Sequence, residues 1–255
     1  MKNLPILIDF DGVIRLGDKP APDTNDFFEF ISENNLDAYI ISNSTLRTGK
    51  DITRYLEKNN LKSAIHAMTA ADATVHYVKE HYKKVSVYCV ENIKQFFTDF
   101  IDDENPEAVI IGDNGDNWNF KLMNDIFQKV YNGADIVAMH MNRYWYPHGG
   151  ELSLDAGAFI KAIEYGSGKE SILIGKPSPI YFQSALQMLG LPTNSEFIMI
   201  GDDIESDIIG AQNAGGRGLL IYTGKTKYPL KEGINIKPDY EAQSLKEVIG
   251  IIETR

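Results

Sequence analysis

The chain has 255 residues and a mass of 28.6 kDa, enough to bury one large core or a core carrying a smaller insert. Hydrophobic residues make up 43% and charged residues 24%, which is ordinary globular usage and argues against disordered, fibrous and membrane classes. The formal charge of −11 argues against a nucleic-acid partner, because phosphate backbones are gripped by Lys and Arg.

A small phosphorylated substrate stays open, since a divalent metal, one lysine and inward-pointing amides can overcome the global charge locally. The first ten residues hold one lysine and a short apolar run ending in Asp9, too short and too acidic for a signal peptide. No apolar stretch approaches the roughly 20 residues that span a bilayer. Cys89 is the only cysteine, so no intrachain disulfide can form and thiolate metal binding is implausible. These features together predict a cytoplasmic protein with no membrane partner.

Along the chain, apolar runs of strand length alternate with amphipathic segments. The pattern predicts strands over 6–8, 38–41, 85–90, 108–111, 136–139, 171–174, 197–200 and 218–222. Between them it predicts helices over 24–34, 48–58, 70–79, 120–131, 156–165, 179–189, 206–214 and 244–252. Such alternation implies an α/β fold with a Rossmann-like, doubly wound parallel sheet.

Four apolar runs stop at a residue of catalytic type: LPILID at Asp9, DAYIIS at Ser42, SILIGK at Lys176 and FIMIGD at Asp202. In a parallel sheet the carboxyl ends share one edge, where open α/β sheets bind ligands, so neighbouring strands would make these residues converge. Paired carboxylates, a hydroxyl, an ammonium and a second acidic cluster suit phosphoryl transfer, in which the protein supplies positioning and charge. In Asp9-Phe10-Asp11-Gly12 one carboxylate can attack phosphorus while the other handles the leaving-group proton. Ser42 and the backbone around Asn43, at a helix start, can face phosphoryl oxygens. Between Gly201 and Asp207 stand four acids, Asp202, Asp203, Glu205 and Asp207, and Mg²⁺ is their natural occupant. Singly, each motif has a plainer reading: a calcium loop or turn, a helix cap, a solvated loop lysine, and a charged helix N-terminus.

Together and in this order, DFDGV, IISNS, GKPSP and GDDIESD resemble the four motifs of the haloacid dehalogenase (HAD) superfamily of phosphatases. The resemblance implies that Asp9 is the nucleophile, Asp11 the general acid/base, Ser42 a phosphoryl ligand and Lys176 the charge stabiliser. It further implies that Mg²⁺ is held by Asp9, the backbone carbonyl of Asp11 and Asp202, with Asp207 in support and Asp203 the less certain member.

About 130 residues separate Ser42 from Lys176, far more than the dozen or more that one crossover needs. This placement resembles the class II arrangement, with a catalytic core over 1–72 and 169–255 and a smaller α/β cap domain of the class IIA type inserted over 73–168. PEAVIIGDN and LSLDAGAF look like the NagD-like branch. The stretch from His140 to Trp145 is closer to relatives of phospholysine phosphohistidine inorganic pyrophosphate phosphatase. Arg143, Tyr144 and Trp145, followed by Tyr146, Pro147 and His148, are candidate substrate contacts, although an aromatic cluster also serves as packing. The five histidines show no metal-binding spacing, and Cys89 reads as a core residue. By analogy a cap-mediated homodimer is expected. The expected function is Mg²⁺-dependent hydrolysis of phosphomonoesters, phosphoamides or pyrophosphate through an aspartyl phosphate. The competing class is a non-enzymatic phospho-receiver or phosphate-responsive switch, which needs neither Asp11 nor a substrate-selecting insert.

Overall fold

A computed structural model of the chain describes residues 4–61, 64–145, 151–230 and 237–254. From the amino end it runs through β1 (Ile6–Asp9), a short ribbon of β2 (Arg15–Leu16) and β3 (Lys19–Pro20), α1 (Thr24–Glu33), β4 (Ala38–Ser42), α2 (Gly49–Lys58) and β5 (His66–Thr69). The middle third holds α3 (Ala70–His81), β6 (Val85–Tyr88), α4 (Glu91–Lys94), β7 (Ala108–Ile111), α5 (Phe120–Tyr131) and β8 (Asp135–Ala138). A second ribbon, β9 (Tyr144–Trp145) with β10 (Ser153–Leu154), precedes α6 (Ala156–Ser167) and β11 (Ser171–Leu173). The remainder forms α7 (Pro179–Met188), β12 (Ile198–Gly201), a π-helical turn (Ile204–Ile209) running into α8 (Gly210–Asn213), β13 (Arg217–Ile221), β14 (Tyr240–Ala242) and α9 (Leu245–Glu253).

The chain divides into two compact units. The first comprises Met1–Ser42, Gly49–Met68 and Lys176–Arg255, and the second Asn43–Thr48 and Thr69–Gly175. A six-stranded sheet in the order β14-β13-β12-β1-β4-β5 organises the first unit. Its strands from β14 to β4 are parallel. β1 is central, with Asp9 level with Ile41 of β4 and Ile8 level with Ile200 of β12. The chain moves from β1 to β4 on one side and later returns to β12 on the other. That reversal is the switch point at which open sheets present a crevice. Covered on both faces, these strands read as continuous apolar runs: Ile6, Leu7 and Ile8 are all buried, as are Ile198, Met199 and Ile200.

The second unit has its own parallel sheet, in the order β11-β8-β7-β6. A separate core of Val109, Ile111, Ile126, Val130, Ile136 and Ile160 packs against it. Local chemistry sets its helix starts: Thr69 and Asp72 exchange bonds in a capping box at α3, and Asn119 accepts from Leu122 N at α5. Among the described residues no helix is long and apolar enough to cross a membrane.

All eight predicted strands exist, but one belongs elsewhere. The run before Lys176 forms β11, whose partner is β8 in the second unit's sheet, so Lys176 does not stand at the end of a strand beside β1. An apolar run reveals that a strand forms and not which sheet receives it. The predicted helix over 206–214 begins instead as the π-helical turn, in which Asp207 N and Ile208 N both donate to Asp203 O, at 3.0 and 3.3 Å.

Candidate active site

Asp9 is the last residue of β1, Asp202 follows β12, and Asp207 lies in the π-helical turn just beyond; all three are buried. Lys176, 3% exposed, places Nζ 2.6 Å from Asp9 Oδ1 and 2.7 Å from Asp207 Oδ1. Asp9, Asp202 and Asp207 each offer an oxygen within 4.8 Å of the others.

Burial is the first reason that the Asp9 carboxyl sits well above the usual range. The negative charges of Asp207 and Asp202 add to it, and Lys176 opposes them. Asp202 is pushed up to about 6, by burial and then by Asp207. Burial works against the charge of Lys176, but Asp207 and Asp9 outweigh it and raise its pKa. Three buried carboxylates therefore face one ammonium, and the surplus is negative. Hard, closely spaced carboxylate oxygens with excess negative charge are the donor set that a divalent cation such as Mg²⁺ takes.

A loop after β13, from Thr223 to Thr226, fastens this cluster. Lys225 N donates to Asp202 Oδ2, Thr226 N to Asp202 O at 3.0 Å, and Thr223 Oγ1 to Gly12 O. Gly12, at φ +95°, and Gly224 both lie so close to the Asp202 carboxylate that a Cβ on either would collide with it. Asp203 turns away from the trio. Its carboxylate caps Glu205 N at 3.0 Å and pairs with Lys225 Nζ, and these bonds overcome burial to hold its pKa low.

The Asp11 carboxylate also lies outside the trio. Arg15 Nε donates to its Oδ1 at 2.7 Å. Ser42, at the end of β4, is 2% exposed, and Tyr181 of α7 pins its backbone: the phenol accepts from Ser42 N at 3.1 Å and donates to Ser42 O at 2.6 Å.

The other candidates belong to the second unit. The side-chain oxygen of Asn43 lies where a Cβ on Gly175 would collide with it. Tyr144 and Trp145, 46% and 43% exposed, form β9, with Arg143 just before it. The base of this ribbon is tied by Asp155 N donating to Arg143 O at 3.2 Å and Gly157 N to Asn142 O at 3.0 Å. Tyr146, Pro147 and His148 lie outside the described residues. His140 is buried, with Nε2 3.6 Å from Asp155 Oδ1, and burial lowers its pKa. The Cys89 thiol is pushed up to about 12 by burial, which leaves it an unreactive core group.

Arg15, Tyr181 and the Thr223–Thr226 loop are absent from the sequence-derived candidates. The loop carries a usable signal, because RGLLIYTGKT is an apolar strand that stops at polar residues, the same pattern as the strand ends at Asp9, Ser42, Lys176 and Asp202.

Comparison with known proteins agrees with this layout. Residues 6–100 match the family described as haloacid dehalogenase-like hydrolase, and residues 173–248 a second family of HAD hydrolase-like proteins. Phospholysine phosphohistidine inorganic pyrophosphate phosphatase of Rattus norvegicus is 32% identical over 83% of this chain and 78% of its own length. Haloacid dehalogenase-like hydrolase domain-containing protein 2 of Mus musculus is 27% identical over 97% and 95%. Among solved structures, a 4-nitrophenylphosphatase from Thermotoga maritima superposes with a TM-score of 0.88 at 24% identity, covering 98% of both chains. NagD from E. coli K-12 superposes with a TM-score of 0.85 at 23% identity, covering 97% of this chain and 98% of its own. A parallel sheet with acids at its carboxyl edge and a buried lysine between two of them is a layout suited to phosphoryl transfer. The chain belongs to the haloacid dehalogenase-like hydrolase family, with NagD-like architecture, and is an enzyme of the phosphatase type.

Proposed function

We propose that this phosphatase is Mg²⁺-dependent and hydrolyses small phosphorylated metabolites through a phosphoenzyme formed on Asp9. One observation carries the reading: a buried lysine bridges Asp9 and Asp207 at 2.6 and 2.7 Å, yet the cluster around it keeps a surplus of carboxylates. A receiver or phosphate-responsive switch is the weaker alternative, because Asp11 supplies a second acid two residues from Asp9.

Asp9 attacks phosphorus, and the bond from phosphorus to the leaving oxygen breaks as Asp11 gives that oxygen its proton. Water then attacks the phosphorus of the aspartyl phosphate, Asp11 takes the proton, and inorganic phosphate leaves with Asp9 restored. Lys176 offsets the charge of the transferred group, and the Ser42 hydroxyl donates to one of its oxygens. Asp9, Asp202 and the Asp11 carbonyl would hold Mg²⁺, with Asp207 in support. Bound there, the ion supplies positive charge that neutralises the carboxylate surplus and the phosphoryl oxygens. The test is inorganic phosphate release from a panel of phosphomonoesters, phosphoamides and pyrophosphate, with and without Mg²⁺. No release from any of them by folded, Mg²⁺-loaded protein would leave the switch reading in its place.

The residues assigned to the phosphoryl group offer nothing to the rest of a substrate. We propose Arg143, Tyr144 and Trp145 for that contact, because they combine a cation with exposed aromatic faces suited to polar or flat leaving groups. Replacing Tyr144 and Trp145 with alanine is expected to change the ranking of kcat/KM among natural-type substrates by about 10-fold. Hydrolysis of a small aryl phosphate should change far less. Equal scaling of every substrate, with the melting temperature kept, would make the pair packing residues.

A further inference from the structure

Opposite charges four residues apart usually mark one face of a helix. Gly12, at φ +95°, prevents a helix between Asp11 and Arg15, and a tight turn brings them together instead. Arg15 N donates to Phe10 O at 2.9 Å, and Gly12 N donates to Arg15 O at 2.8 Å. Arg15 then opens β2, opposite Pro20 of β3, so its backbone is fixed on both sides.

The side chain is fixed as well. Its guanidinium carbon lies 5.2 Å from the centre of the Phe10 ring and 5.9 Å from that of Tyr55, and the two rings meet edge-on at 5.3 Å. Aromatic faces back the cation and direct its N–H groups toward Asp11. Nε donates to Asp11 Oδ1 at 2.7 Å, and Nη2 reaches the same oxygen. Among the described residues, nothing holds Asp11 Oδ2. The carboxylate is 45% exposed, where an ion pair adds little to stability. The arrangement controls orientation: one oxygen is gripped and the other is left for chemistry.

We infer that Arg15 is the positioning residue of the acid/base, holding Asp11 through Oδ1 so that Oδ2 carries the proton, a role that presupposes Asp11 as the acid/base proposed above. Oδ2 gives its proton to the leaving oxygen as the phosphorus–oxygen bond breaks, and regains one from the water that attacks the aspartyl phosphate. A lysine would keep the charge but lose the planar fork and the aromatic stacking.

Leaving-group dependence tests this, because dinitrophenolate departs without a proton and an alkoxide does not. The measured quantity is the ratio of kcat/KM for 2,4-dinitrophenyl phosphate to that for an alkyl phosphate. It reports the first chemical step only. Wild type, Asp11→Asn, Arg15→Met, Arg15→Lys and the Asp11→Asn/Arg15→Met double variant are compared, methionine keeping the apolar packing of the stem. Asp11→Asn is expected to raise the ratio about 100-fold, Arg15→Met about 10-fold and Arg15→Lys about 3-fold, while the double variant matches Asp11→Asn alone. If Arg15→Met slows both substrates equally, slows neither, or adds its full effect to Asp11→Asn, then Arg15 does not act through Asp11. If Asp11→Asn itself leaves the ratio unmoved, the acid/base assignment fails, and the role of Arg15 falls with it. Melting temperatures of all variants separate either result from unfolding.

Discussion

Asp9→Asn is expected to reduce phosphate release by about 10⁴-fold or more, because the amide that replaces the carboxylate has the same shape and no attacking charge. The fold should survive the change. Asparagine fits the same space at the end of β1, and its oxygen can still accept from Lys176 Nζ, which donates to Asp9 Oδ1 at 2.6 Å. The substitution also removes one of three crowded acids, so the metal-free melting temperature should hold or rise. Two measurements check the role. Inorganic phosphate release is compared on matched, folded proteins, and acid-quenched reactions are analysed for protein-bound phosphate that hydroxylamine releases. Wild type should carry that phosphate during turnover and the variant should not. Comparable release by the two proteins would show that another group attacks phosphorus.

The sequence carried most of the chemistry in the first unit and less of the route to it. Asp9 and Asp202 were legible because a buried parallel strand is a continuous apolar run, and a carboxylate at its end has no packing reason to be there. Lys176 is legible from its residue type and its place after SILIG, yet it reaches Asp9 by a different path, since β11 pairs with β8. Pairing partners are a long-range property that a local run does not encode. Arg15 is hidden in the sequence for the opposite reason: its spacing from Asp11 is that of a helix pair, but Gly12 forces a turn, and the aromatic backing depends on Tyr55, 40 positions later. Tyr181 carries no signal, being one of two adjacent aromatics in the first turn of a largely apolar helix. The two-residue strands β2, β3, β9 and β10 are too short to show any period. The spacing of Asp203 and Asp207 does not say which of them faces Asp9; the family resemblance favours Asp207, and the π-helical turn is what brings it to Lys176.

Removing divalent metal is expected to silence the enzyme, and Mg²⁺ is expected to restore it where Ca²⁺ does not, since the looser, larger shell of Ca²⁺ misplaces an in-line attack. The same cluster makes a prediction that does not depend on turnover. Asp9, Asp202 and Asp207 face a single ammonium, so the metal-free protein stores repulsion that a cation relieves. Mg²⁺ should raise the melting temperature of wild type, as any ligand selective for the folded state does. Asp202→Asn should melt higher than wild type without metal and respond little to Mg²⁺.

The gap between the two proteins should also depend on pH. Asp202 has a folded pKa of about 6, above its ordinary value, so it binds its proton more tightly folded than unfolded, and its ionisation weakens the fold. That penalty is absent below about pH 4, grows as pH rises through about 6 and is complete above it. His140, whose burial lowers its pKa, acts in the opposite sense over part of that window, since its protonation below about pH 6.5 favours the unfolded chain. His140 is common to both proteins, and the difference between them cancels it. The stability advantage of metal-free Asp202→Asn over wild type should therefore widen from about pH 5 to about pH 7.5 and shrink when Mg²⁺ is added. If wild type shows no Mg²⁺-dependent rise in melting temperature and keeps full activity after exhaustive EDTA treatment, the carboxylate surplus has another purpose and the phosphatase needs no metal.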